Sequence, residues 1–416
     1  MEGPPTTPDL QRVSLVLAGG GARGAYEAGV LAYLFESIYP RLRDAFEFDV
    51  LSGTSVGAIH AAYVAATASL DAASRTRPLL DTWGEMRVHD VLDVSFGDLF
   101  GVPMRALGMR GLARRIRGPS ATEVLGGLVD IGPLERIVDR RIPWRQLRGN
   151  LRSGRPGVLC VSCTEIRSGR VTVFMNGPLA NPAPWSHDPN AQAVTGRISA
   201  RHVRASAAIP FLFPAVRIGN RFYVDGGLRM NTPLSPALRL RSNRVLVVAL
   251  KHERPPSDEA PVYSEEVITQ PAFLLGKVLD ALMLDQLEYE LARIGLVNAW
   301  IDRGTQSFGD AFLEKVNAAV REQRGVGYRK VVTVTIRPSA DLGRIAADCY
   351  RREGGARALG LLPTLMARFA LRGVPHDEAD LLSYLFFDRC FTRKLIELGR
   401  EDARRQEDEI LEALGA

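Results

Sequence analysis

Apolar positions near the start of the chain fall in short runs that end in glycine, and each run leads into a stretch with helical spacing. Residues 15–66 read LVLAGGGARGAYEAGVL, then a mixed segment, then FDVLSGTSVGAIHAAYVAA. The pattern predicts two successive units of strand, glycine turn and helix, with the second strand at Phe48 to Leu51. Strands joined by a helix run parallel, so both turns are expected at the same carboxyl edge of one sheet. Val158 to Thr164 and Arg170 to Phe174 read as further strands joined at Arg167-Ser168-Gly169, and Val245 to Leu250 as a buried strand. Leu79 to Ile142 reads as mostly helical, and 178–195, with NPAPWSHDPNAQ, as an exposed loop near the cleft. Beyond it come a proline- and acid-rich stretch from Glu253 to Gln270, a long amphipathic helix over Ala272 to Ala299, a strand over Val331 to Ile336, and mostly helix thereafter. The division this implies is a polar, disordered lead (1–11), a catalytic α/β domain (12–250), a linker (251–270), and a mostly helical C-terminal extension (271–416) packing on the catalytic domain.

Both early turns carry chemistry. Gly19-Gly20-Gly21-Ala22-Arg23-Gly24 lets backbone N–H groups approach an anion at a helix start. It also satisfies the dinucleotide fingerprint G-x-G-x-x-G, but that reading wants an acidic residue at the end of the second strand. Here Glu47 and Asp49 lie at its beginning, and its end runs into Ser52-Gly53-Thr54-Ser55. Gly53-Thr54-Ser55-Val56-Gly57 is a G-x-S-x-G elbow, which exposes a serine hydroxyl on a sharp strand-to-helix turn. An anion cradle and a serine at one sheet edge point to acyl transfer.

A serine needs a base. None of the histidines, His60, His89, His187, His202, His252 and His376, lies in a glycine-flanked loop at a strand end. His60 falls about one turn after Ser55 on the same helix, which suits packing or capping. Arg221-Phe222-Tyr223-Val224-Asp225-Gly226-Gly227 instead delivers an aspartate from a short strand into a glycine pair; taken alone, that motif is also an ordinary hairpin turn. An isolated carboxylate is a weak base, so Asp225 would have to be partly desolvated.

In the order GGGARG, GTSVG, DGG the chain resembles the patatin-like phospholipase family. AGGGARGAYEAGVL, ASAAIPFLFPAV and DGGLRMNTP all look like family blocks, so the likeness spans Leu15 to Pro233, and LLSYLFFDRCFTRKLIELGREDA looks like a tail found in some bacterial members. The resemblance implies a three-layer α/β/α fold with a mainly parallel central sheet. It implies a Ser55–Asp225 dyad, an oxyanion hole from Gly19, Gly20 and Gly21 with Arg23 stabilising that loop, and Gly24, Gly53, Gly57, Gly226 and Gly227 as motif glycines. The implied substrate is an acyl ester of a phospholipid or lysophospholipid, with no cofactor and no metal. Members often carry two adjacent asparagines after DGG, where this chain has Met230-Asn231.

Composition alters this picture little. Of 416 residues, 46% are hydrophobic and 24% charged, which is ordinary for a globular chain with ample core. No apolar run is long enough to span a bilayer, and the start lacks the basic and apolar regions of a secretory signal. Four cysteines do not make a disulfide framework at this size; Cys160 and Cys163 would point to opposite faces of a strand, and reduced thiols fit a cytoplasmic protein. A net charge of +6 permits contact with anionic lipid, and MRALGMRGLARRIRG (104–118), with Arg114, Arg115 and Arg117, is a basic amphipathic candidate for peripheral membrane contact. Nucleic acid is not an expected partner, since no recognisable binding fold accompanies the basic residues. Two alternatives stay open at this point: a dinucleotide-binding enzyme, and a non-catalytic lipid-binding module on the same fold.

Overall fold

The computed structural model describes residues 11–42, 46–91, 132–210, 212–252, 287–352 and 380–415. The basic segment at 104–118, the N-terminal lead and most of the linker therefore lie outside the described residues.

β1 (Val13–Leu17) and β2 (Val50–Thr54) are buried along their whole length, as central parallel strands covered on both faces are, and the buried Ser52 hydroxyl of β2 donates to the Pro233 carbonyl (2.9 Å). They lie at the centre of a sheet that has nine strands among the described residues. The path runs β5 (Ala191–Thr195), β4 (Val171–Asn176), β3 (Val158–Glu165), β2, β1, β8 (Arg244–Val248) and β9 (Val332–Ile336). The hairpin of β6 (Val216–Ile218) and β7 (Arg221–Asp225) attaches to β3. Pairing is parallel from β3 through β9, and antiparallel where β4 and β7 meet β3. The mainly parallel sheet with flanking helices is the expected fold class.

Side-chain alternation along β1 divides the interior. Val13, Leu15 and Leu17 join the large core that includes helices α1 (Gly24–Tyr33), α2 (Val56–Thr67) and α3 (Ala72–Glu85), while Val16 faces a smaller core shared with β8 and with Leu287 and Ile294 of a later helix. Cys160 and Cys163 fall into cores on opposite faces of β3, both buried and unpaired, as packing residues.

β2 runs on through Ser52, Gly53 and Thr54, so the elbow begins immediately at its last residue. Within 178–195, read as an exposed loop near the cleft, Trp185 is buried and Ala191–Thr195 forms edge strand β5, three strands removed from β2 and so away from the elbow. The Trp185 ring sits beneath the Arg239 guanidinium, which also pairs with Asp188, and this holds a polar, turn-rich segment against the sheet. The helix expected over 272–299 is seen from Leu287 and continues to Phe308. Cys349 and Cys390 form a disulfide, against the expectation of reduced thiols throughout.

Candidate active site

Strand register brings the two predicted partners together. Thr54, the last residue of β2, pairs with Ser162 of β3, and the next β3 residue, Cys163, pairs with Asp225 of β7. A residue just beyond Thr54 and the carboxylate of Asp225 therefore share one corner of the sheet.

Ser55 occupies that corner at φ 55° and ψ −123°, a conformation non-glycine residues rarely hold, between β2 and the first turn of α2. The sharp turn is possible because Gly57 is bare: a Cβ there would sit 2.3 Å from the carbonyl oxygen of Leu17. The Ser55 N–H donates to Ser206 Oγ (3.0 Å), and Ser206 in turn donates to the carbonyl of Ser162 (2.6 Å). Ser206, which the motif reading passed over, thus clamps the elbow to β3.

Asp225 ends β7 and is fully buried. Its Oδ1 accepts from the N–H of Gly227 (2.7 Å) in the short turn Gly226–Leu228, while Oδ2 is buried with no close hydrogen-bond partner among the described residues. Burial raises the Asp225 pKa to about 7, and the nearby Ser55 hydroxyl and the Gly227 amide offset only part of that rise. This is the partial desolvation that a carboxylate base requires.

Of the glycine loop, Gly19 lies against Ser55, but its N–H donates to the carbonyl of Asn231 (3.0 Å). Of the three glycine amides expected as donors, that of Gly19 is thus engaged with Asn231 in this structure. Asn231 is the second residue of the Met230-Asn231 pair, and the carbonyl of Met230 accepts from Thr54 Oγ1 (2.9 Å), so the loop after DGG ties the cradle to the elbow strand. Gly21 has φ +56° and opens a 3-10 turn that leads through Arg23 into α1 at Gly24. Arg23 is buried, with Nε donating to Ser383 Oγ (2.7 Å) and the guanidinium 4.0 Å from the Tyr384 ring centre. Gly53 lies within β2, and Gly226 packs against the Ser162 carbonyl.

His60 has no part in this corner as a base. Trp83 Nε1 donates to His60 Nε2 (2.7 Å), which leaves the proton on Nδ1 to be donated to Glu27 Oε2 (2.7 Å). Burial lowers the His60 pKa to about 3 and raises that of Glu27, so the imidazole is neutral and fixed. Packing was the expectation for His60; its buried partners Glu27 and Trp83 carried no motif.

An apolar cavity of about 820 Å³, counting its open mouth, reaches Ser55 and Gly21. Ile59 and Tyr63, one and two turns along α2 from Ser55, form one side, and Ile209 and Phe213 another. Leu385 and Phe387, from near the C-terminus, complete it.

A serine on a strand-to-helix elbow and a buried carboxylate thus share one corner of a parallel sheet edge, over an apolar cavity. The sequence model described as Patatin-like phospholipase matches residues 15–238, more than half of the chain, and the chain belongs to that family. This family places the chain among the lipid acyl hydrolases. A search of curated proteins gives no match. Among solved structures, the chain is similar to VipD from Legionella pneumophila (14% identity, 94% of this chain and 67% of that one, TM-score 0.33). It is also similar to human GIVD cytosolic phospholipase A2 in complex with methyl gamma-linolenyl fluorophosphonate (11% identity, TM-score 0.38), where it covers 98% of its own length and spans 58% of the human chain. ExoU of Pseudomonas aeruginosa, in complex with SpcU, is a further similar structure (17% identity, 91% and 70% coverage, TM-score 0.27). Among the described residues no helix is long and apolar enough to cross a membrane.

Proposed function

We propose that the chain hydrolyses acyl ester bonds of phospholipids or lysophospholipids through a Ser55–Asp225 dyad and an acyl-serine intermediate. The observation that carries this reading is the fully buried Asp225 carboxylate, near the hydroxyl of an elbow serine that opens onto an apolar cavity. Asp225 takes the Ser55 proton as Oγ attacks the ester carbonyl. Negative charge forming on the carbonyl oxygen is met by the N–H groups of Gly20 and Gly21, where each such donor is worth roughly 2.7 to 4 kcal/mol, and by the positive end of α1. The proton passes to the leaving alcohol, the lysolipid or glycerol part departs, and the acyl chain stays in the cavity on Ser55. Water then attacks the acyl-serine, giving up a proton to Asp225, and the fatty acid leaves with Ser55 restored.

The test is hydrolysis of a short-chain aryl ester and a mass-spectrometric panel of phospholipids and lysophospholipids by wild type, Ser55→Ala and Asp225→Asn. Wild type should release free fatty acid and neither variant should. Activity that survives either substitution removes that residue from the mechanism.

A further inference from the structure

The family match ends at residue 238, yet a segment near the C-terminus stands against the glycine loop. Helix α11 (Asp380–Leu385) precedes α12 (Arg389–Arg405), numbering as α4 to α10 the helices Gly132–Arg141, Trp144–Arg152, Ala200–Ser206, Leu234–Arg239, Leu287–Phe308, Ala311–Arg324 and Leu342–Arg352. Ser383 is fully buried and accepts the Arg23 Nε–H across a sequence separation of 360 residues. Tyr384 presents its ring to the same guanidinium. Its backbone leaves no room on the loop, since a Cβ on Gly21 would lie 2.3 Å from the Tyr384 carbonyl oxygen.

The segment is itself anchored just beyond its C-terminal end. Phe387 stacks on Trp83 of the cavity wall, with ring centres 6.4 Å apart, and Cys390 is bridged to Cys349 of α10. α12 lies along α1, the helix the glycine loop opens, where Tyr26 donates to Asp402 Oδ2 (3.1 Å), and Arg400 pairs with Glu36 in the turn that follows α1.

A glycine-rich turn has little rotamer packing of its own to fix its amides. Arg23 is the long side chain of that turn, and a buried guanidinium needs partners of fixed geometry. We infer that Ser383 and Tyr384 are positioning residues that hold the Gly20 and Gly21 amides in place through Arg23, so that the C-terminal extension completes the oxyanion site. The inference rests on the hydrolase reading for its catalytic consequence and on contacts alone for its structural one.

Two measurements on the full chain separate these. In ester hydrolysis, Ser383→Ala and Tyr384→Leu should lower kcat and the rate of labelling by a fluorophosphonate together, by about ten- to a hundredfold, the scale expected when a reacting group is displaced by an ångström or so. KM for Ser383→Ala should stay within about twofold, because Ser383 does not line the cavity. Ser383→Thr, which keeps a hydroxyl, and Tyr384→Phe, which keeps the ring, should restore most of the rate. In hydrogen exchange, the amides of residues 20–24 should exchange faster in Ser383→Ala and Tyr384→Leu than in wild type, with circular dichroism unchanged. Unaltered kcat with unaltered exchange overturns the inference, as does a rise in KM alone. If wild type is not labelled at Ser55, the hydrolase reading fails, and the exchange measurement still decides whether the extension holds the loop; should Ser383→Ala not fold, the Tyr384→Leu and Tyr384→Phe pair carries the kcat and exchange comparison without the KM criterion, since Tyr384 lines the cavity.

Discussion

Replacing Asp225 by asparagine should abolish hydrolysis and at the same time stabilise the protein at alkaline pH. The carboxylate has a pKa of about 7 when folded, against 3.8 in an exposed chain, because burial penalises its charged form. At about 1.36 kcal/mol for each pH unit, the difference is worth roughly 4 kcal/mol. The folded value lies above the unfolded one, so the unfolded chain loses its proton first as pH rises. Stability is then lost between about pH 4 and pH 7, and the full penalty applies above pH 7. The asparagine side chain in Asp225→Asn carries no charge, keeps an oxygen for the Gly227 amide, and escapes that penalty. Urea unfolding at pH 5 and pH 8 should show the variant gaining on wild type by about 2.5 kcal/mol between the two conditions, with equal m-values. The kcat/KM of wild type should climb about tenfold per pH unit below pH 7 and level off above it, as a base that must be ionised requires. A stability gap that stays constant or narrows from pH 5 to pH 8 would refute the claim that Asp225 is a desolvated base.

Other substitutions probe the scaffold. Cys349→Ser should cost about 4 kcal/mol in urea unfolding without reductant, from the chain entropy of opening a loop spanning a sequence separation of 41 residues; an unchanged midpoint would mean the bridge contributes nothing. Ser55→Gly should be more stable than Ser55→Ala by about 1 kcal/mol, since glycine accepts the φ of 55° at the elbow without strain. Equal midpoints would remove strain from the description of that turn.

What could be read from the sequence were features whose geometry is local. Gly-x-Ser-x-Gly requires its own strand-to-helix turn, and the Asp-Gly-Gly turn and GGGARG loop likewise carry their conformations in a few consecutive residues. Their meeting depends on pairings no local pattern contains: Thr54 with Ser162, and Cys163 with Asp225. Donor availability was equally hidden, because the Gly19 amide is taken by a carbonyl far along the chain at Asn231. Ser206 and Ser383 look like any other helix serine until β3 and Arg23 are placed against them. β5 was obscured because a short edge strand followed a run of asparagine, proline and aspartate, whose turn chemistry dominates a reading by composition. Cysteine spacing could not reveal the Cys349–Cys390 bridge, which arises only because α10 and α12 are neighbours.

The most direct test of the central claim is intact-protein and peptide mass spectrometry after treatment with an alkyl fluorophosphonate. One covalent adduct on Ser55 is expected in wild type, none in Ser55→Ala, and strongly slowed labelling in Asp225→Asn. Rapid labelling at another residue, or labelling of Ser55 at the wild-type rate when Asp225 is replaced by asparagine, would contradict the account.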